Sequence, residues 1–330
     1  AQAEARADWA AAAGYLRMAE FFMVPDTPEC HAVYDRAREI FYTHFAHLFA
    51  EKGGPIYREE VPYEGGVLPC WRVLPDGASK GTILFHGGND SLLEEFTDAL
   101  LYLAQGGYTV LAFEGPGQGA ALRKSGLTFT PEWEKPVGAV LNHYGADNVT
   151  IIGVSLGGEL CMRAAAMEPR IRRVVSWSVL PSIYGALMAD KPAEIRAKLE
   201  HWLDENNREA ILDLYAGLAE REPLFRWSIQ HSNYAYGTSD VYEYLQKARA
   251  FTMEPVAEQI TQDVLLLSAR EDLLVDFGLY KQEIDLLKNT RSLEFAVPGR
   301  ALNGQAHCNM GNTKYMLDLI LNWNDRMLER

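Results

Sequence analysis

The pattern of this chain predicts an α/β fold: a mostly parallel central sheet with helices on both faces. Three observations carry that expectation. Short apolar runs alternate with helical stretches from Thr82 to Trp177. The alternation stops at Pro181 and resumes at Val264, so a helical insertion divides the fold. A tight turn, Gly153-Val154-Ser155-Leu156-Gly157, joins one apolar run to the helix after it. A repeated strand-then-helix order builds a sheet whose strands run parallel, because each crossover helix returns the chain to the same end of the sheet.

The elements follow in order. Ala1 to Ala50 reads as helical, with Trp9, Leu16 and Met18 to Phe22, then Val33, Ala37, Ile40, Phe41 and Phe45, at helical spacing. Pro25 and Pro28 separate two pieces, and Asp26 and Thr27 offer an N-cap to the second. Ile56 to Tyr63 and Val67 to Leu74, parted by Gly65-Gly66, read as a hairpin. Strands at Thr82 to Phe85, Thr109 to Phe113, Val149 to Val154 and Arg173 to Trp177 enclose helices at Leu92 to Ala104, Pro131 to Tyr144 and Leu156 to Met167. The aromatic-rich insertion has its clearest helices at Ala193 to Leu203 and Arg208 to Leu218. A strand at Val264 to Ser268, a helix at Phe277 to Leu287 and a strand at Ser292 to Val297 follow. The last helix carries one apolar face: Met316, Leu319, Ile320, Trp323 and Met327. The expected organisation is an N-terminal helical extension (1–54), a core (55–180), a helical lid (181–259) and the rest of the core (260–330).

Composition narrows the function. The 330 residues carry 31 Lys and Arg against 45 Asp and Glu, a net charge of −14. Such a chain repels phosphate backbones and anionic membranes at long range, so nucleic acid and membrane are not expected partners. Cys30, Cys70, Cys161 and Cys308 lack metal-site spacing and read as buried small apolar residues of a reducing, cytoplasmic compartment. The longest uncharged stretch, Val174 to Ala189, is 16 residues. A membrane span needs about 20. Ala1 to Phe22 carries Glu4, Arg6, Asp8, Arg17 and Glu20, unlike a signal peptide. The absence of an initiator Met suggests processing or trimming.

The chemistry centres on Ser155. Its turn follows a strand and opens a helix, the setting of a nucleophile elbow. Leu156 N–H, at the helix start, points where an oxyanion would form. A serine hydroxyl needs a general base. Among eight histidines, His307 is best placed, in a loop before the final helix. His143 and His201 read as surface residues, His31, His44 and His47 belong to the N-terminal helices, and His231 is a candidate for the pocket wall. After the strand ending at Ser268, Asp272 is the expected orienting carboxylate, with Asp276 (read as the N-cap of the next helix) and Glu271 as alternatives. His86-Gly87-Gly88-Asn89 follows a strand, and Gly87 or Gly88 N–H is the expected second oxyanion donor. His86 reads as a brace for that loop. Glu114-Gly115-Pro116-Gly117-Gln118-Gly119 lacks the lysine of a phosphate loop and reads as a tight turn near the site.

Together these residues resemble the α/β-hydrolase superfamily over roughly Ile56 to Trp177 and Val264 to Arg330. The strings Glu114 to Gly119, Trp227-x-x-x-His231 and Ala306-His307-Cys308-x-x-Gly311 resemble the branch holding 2,6-dihydroxypseudooxynicotine hydrolase and fungal polyketide-shortening hydrolases. This resemblance implies a Ser155–Asp272–His307 triad cleaving an ester, or a carbon–carbon bond beside a ketone, in a small to medium hydrophobic or aromatic substrate. Glu114, Trp227, His231 and Tyr234 are candidates to line its pocket, and the aromatic insertion is expected to cover it. No metal or organic cofactor is implied. A homodimer through the N-terminal helices or the lid is compatible with the sequence. The competing readings are a peptidase-like hydrolase and a non-catalytic binding protein on the same fold.

Overall fold

A computed structural model describes residues 1–330. Eight strands form one sheet: β1 (Ile56–Tyr63), β2 (Gly66–Val73), β3 (Thr82–His86), β4 (Thr109–Phe113), β5 (Val149–Val154), β6 (Ile171–Trp177), β7 (Asp263–Leu267) and β8 (Ser292–Ala296). Their order across the sheet is β1-β2-β4-β3-β5-β6-β7-β8. β2 runs antiparallel to both β1 and β4, and every other pairing is parallel. The β1–β2 turn lies one residue earlier than its glycine pair suggests. Glu64 and Gly65 hold φ of 45° and 81°, while Gly66 already pairs with Tyr63. Two successive positive-φ residues match the right-handed twist of a hairpin.

Fourteen helices surround the sheet. α1 (Gln2–Ala5), α2 (Trp9–Phe21) and α3 (Pro28–His44) form the N-terminal extension. α4 (Thr97–Gln105), α5 (Gly119–Arg123), α6 (Glu134–Tyr144) and α7 (Gly157–Met167) alternate with strands. α8 (Ile183–Ala189), α9 (Ala193–Asp204), α10 (Arg208–Arg221), α11 (Pro223–Tyr236) and α12 (Val241–Ala248) make up the insertion. α13 (Leu279–Leu286) and α14 (Thr313–Leu328) complete the chain. Thr27 caps α3, accepting from Cys30 N at 3.2 Å. Asp276 does not cap α13 as expected. Its Oδ1 accepts from Gly278 N at 2.6 Å, and Gly278 itself precedes the first helical residue. The short α5 was not foreseen, because five residues are too few to show a helical period.

Strand side chains alternate between two cores. Leu84, Leu111, Ile151, Val174, Val264 and Leu266 enter one cluster. Ile83, Phe85, Val110, Ile152, Val175 and Leu265 enter the other. The period of two in a pleated strand produces this division. The first cluster takes in α6, α7 and the insertion, through Leu199, Leu203, Ile211, Tyr236 and Leu245. The second takes in α4 and α14, including Met316, Ile320 and Trp323. Burying one such side chain contributes roughly 1.5–3 kcal/mol. The insertion therefore shares the main core. All four cysteines are buried and unpaired. No helix is long and apolar enough to cross a membrane.

Two carboxyls lie in this core. Glu159 on α7 and Glu283 on α13 are 1% and 0% exposed. Burial pushes each up to about 8, and the nearby Glu283 charge adds to the shift at Glu159. A carboxyl raised in the folded state contributes stability at low pH and loses it as pH rises through its folded pKa. Glu283→Gln removes one such group. The melting temperature of this variant, relative to wild type, is expected to rise by a few degrees between about pH 5 and about pH 8.5. A pH-independent difference in calorimetric melting would show that Glu283 titrates alike in the folded and unfolded chain, and that burial does not raise its pKa.

Candidate active site

Ser155 follows β5 and precedes α7, at the carboxyl end of the parallel strands. It holds φ at +60°, and its N–H donates to Trp177 O at 2.9 Å. This bend needs bare backbone on either side. A Cβ on Gly153 would lie 1.9 Å from Gly157 O, and one on Gly157 would lie 2.6 Å from Gly87 O. The G-x-S-x-G spacing thus records two backbone contacts.

Ser155 Oγ lies 2.8 Å from His307 Nε2. His307 Nδ1 lies 2.7 Å from Asp272 Oδ2. The Asp272 Oδ1 accepts from Leu274 N at 2.8 Å and Val275 N at 3.0 Å, so both carboxylate oxygens are engaged. In the neutral imidazole this fixes Nδ1–H toward Asp272 and leaves Nε2 to accept from the serine. The two alternative acids lie elsewhere: Glu271 pairs with Arg300 at 2.6 Å, and Asp276 serves its own turn. The other histidines are also occupied or remote. His44 stacks on Trp9, and His31 pairs with Asp26.

Asn309 holds the histidine loop in place. It is fully buried at φ +54°, beside Cys308 at +50°. Its Nδ2 donates to Ser268 O at 3.1 Å and Gly304 O at 2.7 Å, and its Oδ1 accepts from Trp177 Nε1 at 3.2 Å. The ends of β6 and β7 are thereby tied to His307. The A-H-C-x-x-G string contained this residue at an unspecified position.

Electrostatics follow from these contacts. Burial alone would lower the His307 pKa. The hydrogen bond to Asp272, with further contributions from Cys308, outweighs burial and pushes it up to about 10. Burial pushes the Asp272 carboxyl up, but hydrogen bonds from His307, Leu274 and Val275 hold it below its usual value.

The loop after β3 differs in detail from expectation. Gln118 Nε2 donates to Gly87 O at 2.8 Å and to Gly88 O at 2.9 Å. Peptide planarity turns the following N–H groups the opposite way. Gly88 N–H donates to Ser91 Oγ at 3.1 Å, so this expected oxyanion donor is already engaged. Gly87 contributes a carbonyl rather than a donor. Leu156 N–H and Asn89 N–H have no protein acceptor. A Cβ on Gly88 would fall 2.7 Å from Ser155 Cβ, so this loop lies directly against the elbow. His86 is fully buried between Gly87 O (3.0 Å from Nδ1) and Trp133 Nε1 (3.3 Å from Nε2). Burial pushes its pKa down to about 4, so it is a neutral brace.

Ser155 and His307 open onto a cavity of about 710 Å³. Its walls come from Met18 and Phe21 of α2, Phe96 and Tyr102 near α4, and Met310 and Leu317 near α14. Asn89, Asp90 and Ser91 also face it. Glu114, Trp227, His231 and Tyr234, expected to line the pocket, do not. Glu114 is buried behind the loop, accepting from Leu93 N at 3.0 Å and Ala120 N at 2.6 Å, and burial raises it to about 7. Trp227 donates to Phe21 O at 2.6 Å and stacks on His231. Tyr234 is half-buried on the same helix. The insertion contributes no wall residue to this cavity, because its aromatics pack inward, Tyr236 on Phe129, Tyr244 and Phe251. The wall contributed by α2 had no signal beyond its amphipathic spacing. No cluster of three or more His, Cys, Asp or Glu is arranged to hold a metal.

Sheet order, elbow and Ser–His–Asp geometry are those of an α/β hydrolase, and the sequence agrees: residues 83–300 match the alpha/beta hydrolase fold family, to which the chain belongs. It is 31% identical to the Alpha/beta hydrolase psoB of Aspergillus fumigatus over 76% of this chain and 60% of that protein. It is 30% identical to Hydrolase LUC6 of a Fusarium species over 74% of this chain and 61% of that one. The chain thus spans about three fifths of the length of these relatives. The 2,6-dihydroxy-pseudo-oxynicotine hydrolase structure shares the fold, with TM-score 0.69 at 19% identity, over 96% of this chain and 79% of its own.

The His307 environment is open to direct test. Nuclear magnetic resonance titration of its imidazole is expected to place its pKa well above 6.5, near 10. Asp272→Asn removes the charge that raises it, and the pKa should fall by more than one unit. An unchanged titration in the variant would separate the two residues electrostatically.

Proposed function

We propose that this protein is a serine hydrolase that works through an acyl-enzyme. The observation that carries this reading is the unbroken hydrogen-bonded line from Ser155 Oγ through His307 to Asp272, opening on a cavity. His307 Nε2 takes the proton from Ser155 Oγ as the oxygen attacks a carbonyl carbon. Asp272 stabilises the imidazolium so formed. Leu156 N–H and a backbone N–H of the loop 87–91 receive the oxyanion, an effect worth roughly 10²–10³ in rate per donor. The tetrahedral adduct collapses, His307 returns the proton to the leaving group, and water then releases the acyl chain by the same steps.

The cavity volume suits a small to medium ligand, and its Phe, Met and Leu walls favour an apolar acyl group. The names of the relatives, all hydrolases, support the same class. An ester is the first substrate class to try. Cleavage of a carbon–carbon bond beside a ketone, which the branch resemblance implies, shares these steps but releases a carbanion that must be protonated. Among the pocket-wall candidates of the sequence, Glu114 carries a carboxyl that could supply that proton. Its carboxyl is held by two backbone N–H groups away from the cavity. Glu114→Gln is therefore expected to affect an ester and a β-diketone equally.

The test is hydrolysis of short p-nitrophenyl esters. Ser155→Ala is expected to reduce kcat by at least about 10⁴-fold, and Asp272→Asn by about 10⁴-fold. Wild-type kcat/KM should rise with pH on a limb set by the raised His307 pKa, because only the neutral imidazole accepts a proton. Ester turnover undiminished in Ser155→Ala would remove the serine from the mechanism.

A further inference from the structure

The insertion contributes no residue to the cavity wall, yet one of its side chains grips a residue that does. His231 of α11 places Nε2 2.5 Å from Asp90 Oδ1, with side-chain exposures of 8% and 36%. The contact has the distance of an ion pair without the alignment of a hydrogen bond. The His231 ring lies over Trp227 at 5.4 Å and 22°, and 6.2 Å from Phe21. Trp227 in turn is fixed by its bond to Phe21 O. The histidine is therefore wedged between the insertion and the N-terminal extension.

Asp90 belongs to the glycine-rich loop that lies against the elbow. The same Oδ1 accepts from Asn89 Nδ2 at 2.8 Å. The Asp90 carbonyl accepts from Arg17 Nη2 at 2.5 Å. Ser91 Oγ, one residue on, accepts from Gly88 N–H. Gln118 holds the other side of the loop through two carbonyls. A loop with two glycines has little stiffness of its own. Donors for an oxyanion act through fixed placement, and a shift of about 1 Å can cost 10²-fold in rate.

We infer that His231 is a positioning residue for this reaction: it clamps Asp90 and so sets the loop 87–91 against Ser155. The inference rests on the serine-hydrolase reading. His231 touches neither the reacting atoms nor the cavity, and its effect passes through Asp90. Hydrolysis thereby depends on the insertion being docked, although the insertion does not contact the cavity.

The experiment is a double-mutant cycle on a p-nitrophenyl ester, with His231→Ala, Asp90→Ala and both together, and His231→Gln as the conservative variant. His231→Ala is expected to lower kcat and kcat/KM alike, by about 10- to 100-fold, because oxyanion placement matters only in the transition state. The double variant should be no worse than the weaker single variant by more than about twofold. His231→Gln, which keeps an N–H donor and much of the volume, should recover part of the loss. Melting temperature and far-ultraviolet circular dichroism check that each protein is folded. If His231→Ala does not fold, the comparison of His231→Gln with Asp90→Ala decides. Losses that multiply in the double variant, a rise in KM with kcat unchanged, or no loss in His231→Gln and Asp90→Ala overturn the inference. A wild type inert to both ester and fluorophosphonate overturns the hydrolase reading itself, and this inference with it.

Discussion

Ser155 sits at φ +60°, a conformation that costs a non-glycine residue on the order of 1–2 kcal/mol. The surrounding fold must impose it. β5 is buried along its whole length, and Ser155 N–H is held by Trp177 O of the neighbouring strand. On the other side, Gly157 leaves just enough room for the carbonyl of Gly87. The bend brings three segments together: the ends of β5 and β6 and the loop after β3. Trp177 then repeats the service for the histidine, because its indole N–H meets Asn309 two residues beyond His307. One strand end thus locates both ends of the Ser–His pair.

The cavity is built differently from the usual image of a lid over a core. Its walls belong to the N-terminal extension, to α4 and to the start of α14. The extension is anchored by buried charge: Arg123 meets Glu20 at 2.6 Å, with side chains 8% and 2% exposed. Arg17 adds bonds to Glu20 and Glu95. Buried pairs of this kind are costly to break, since either partner alone is left charged and unsolvated. The insertion is continuous with the main core, and its influence on the cavity passes through side chains that stand behind the wall.

Much of this was legible in the sequence. β3 to β7 announced themselves as short apolar runs between helical periods, since burial on both faces leaves a strand little else to be. The elbow was legible because its glycines answer specific backbone collisions. Asp272 was legible by its place after β7, and Glu271 and Asp276 were separated from it only by where their side chains turn. What stayed hidden depends on partners distant in sequence. Nothing near Phe21 or Tyr102 indicates that they share a cavity with Ser155. Gln118 stood in a quoted motif, yet its bonds to Gly87 and Gly88 O depend on how two loops meet. The aromatics of the insertion misled for a simple reason: Tyr and Trp serve a core as readily as a pocket.

The central claim is that Ser155 is an activated nucleophile. Intact-mass measurement after exposure to a fluorophosphonate tests it most directly, on wild type and on Ser155→Ala. The account predicts one adduct on the wild-type chain, mapped to Ser155, and none on the variant. A wild-type chain that remains unmodified, or a Ser155→Ala chain that is still labelled, would contradict it.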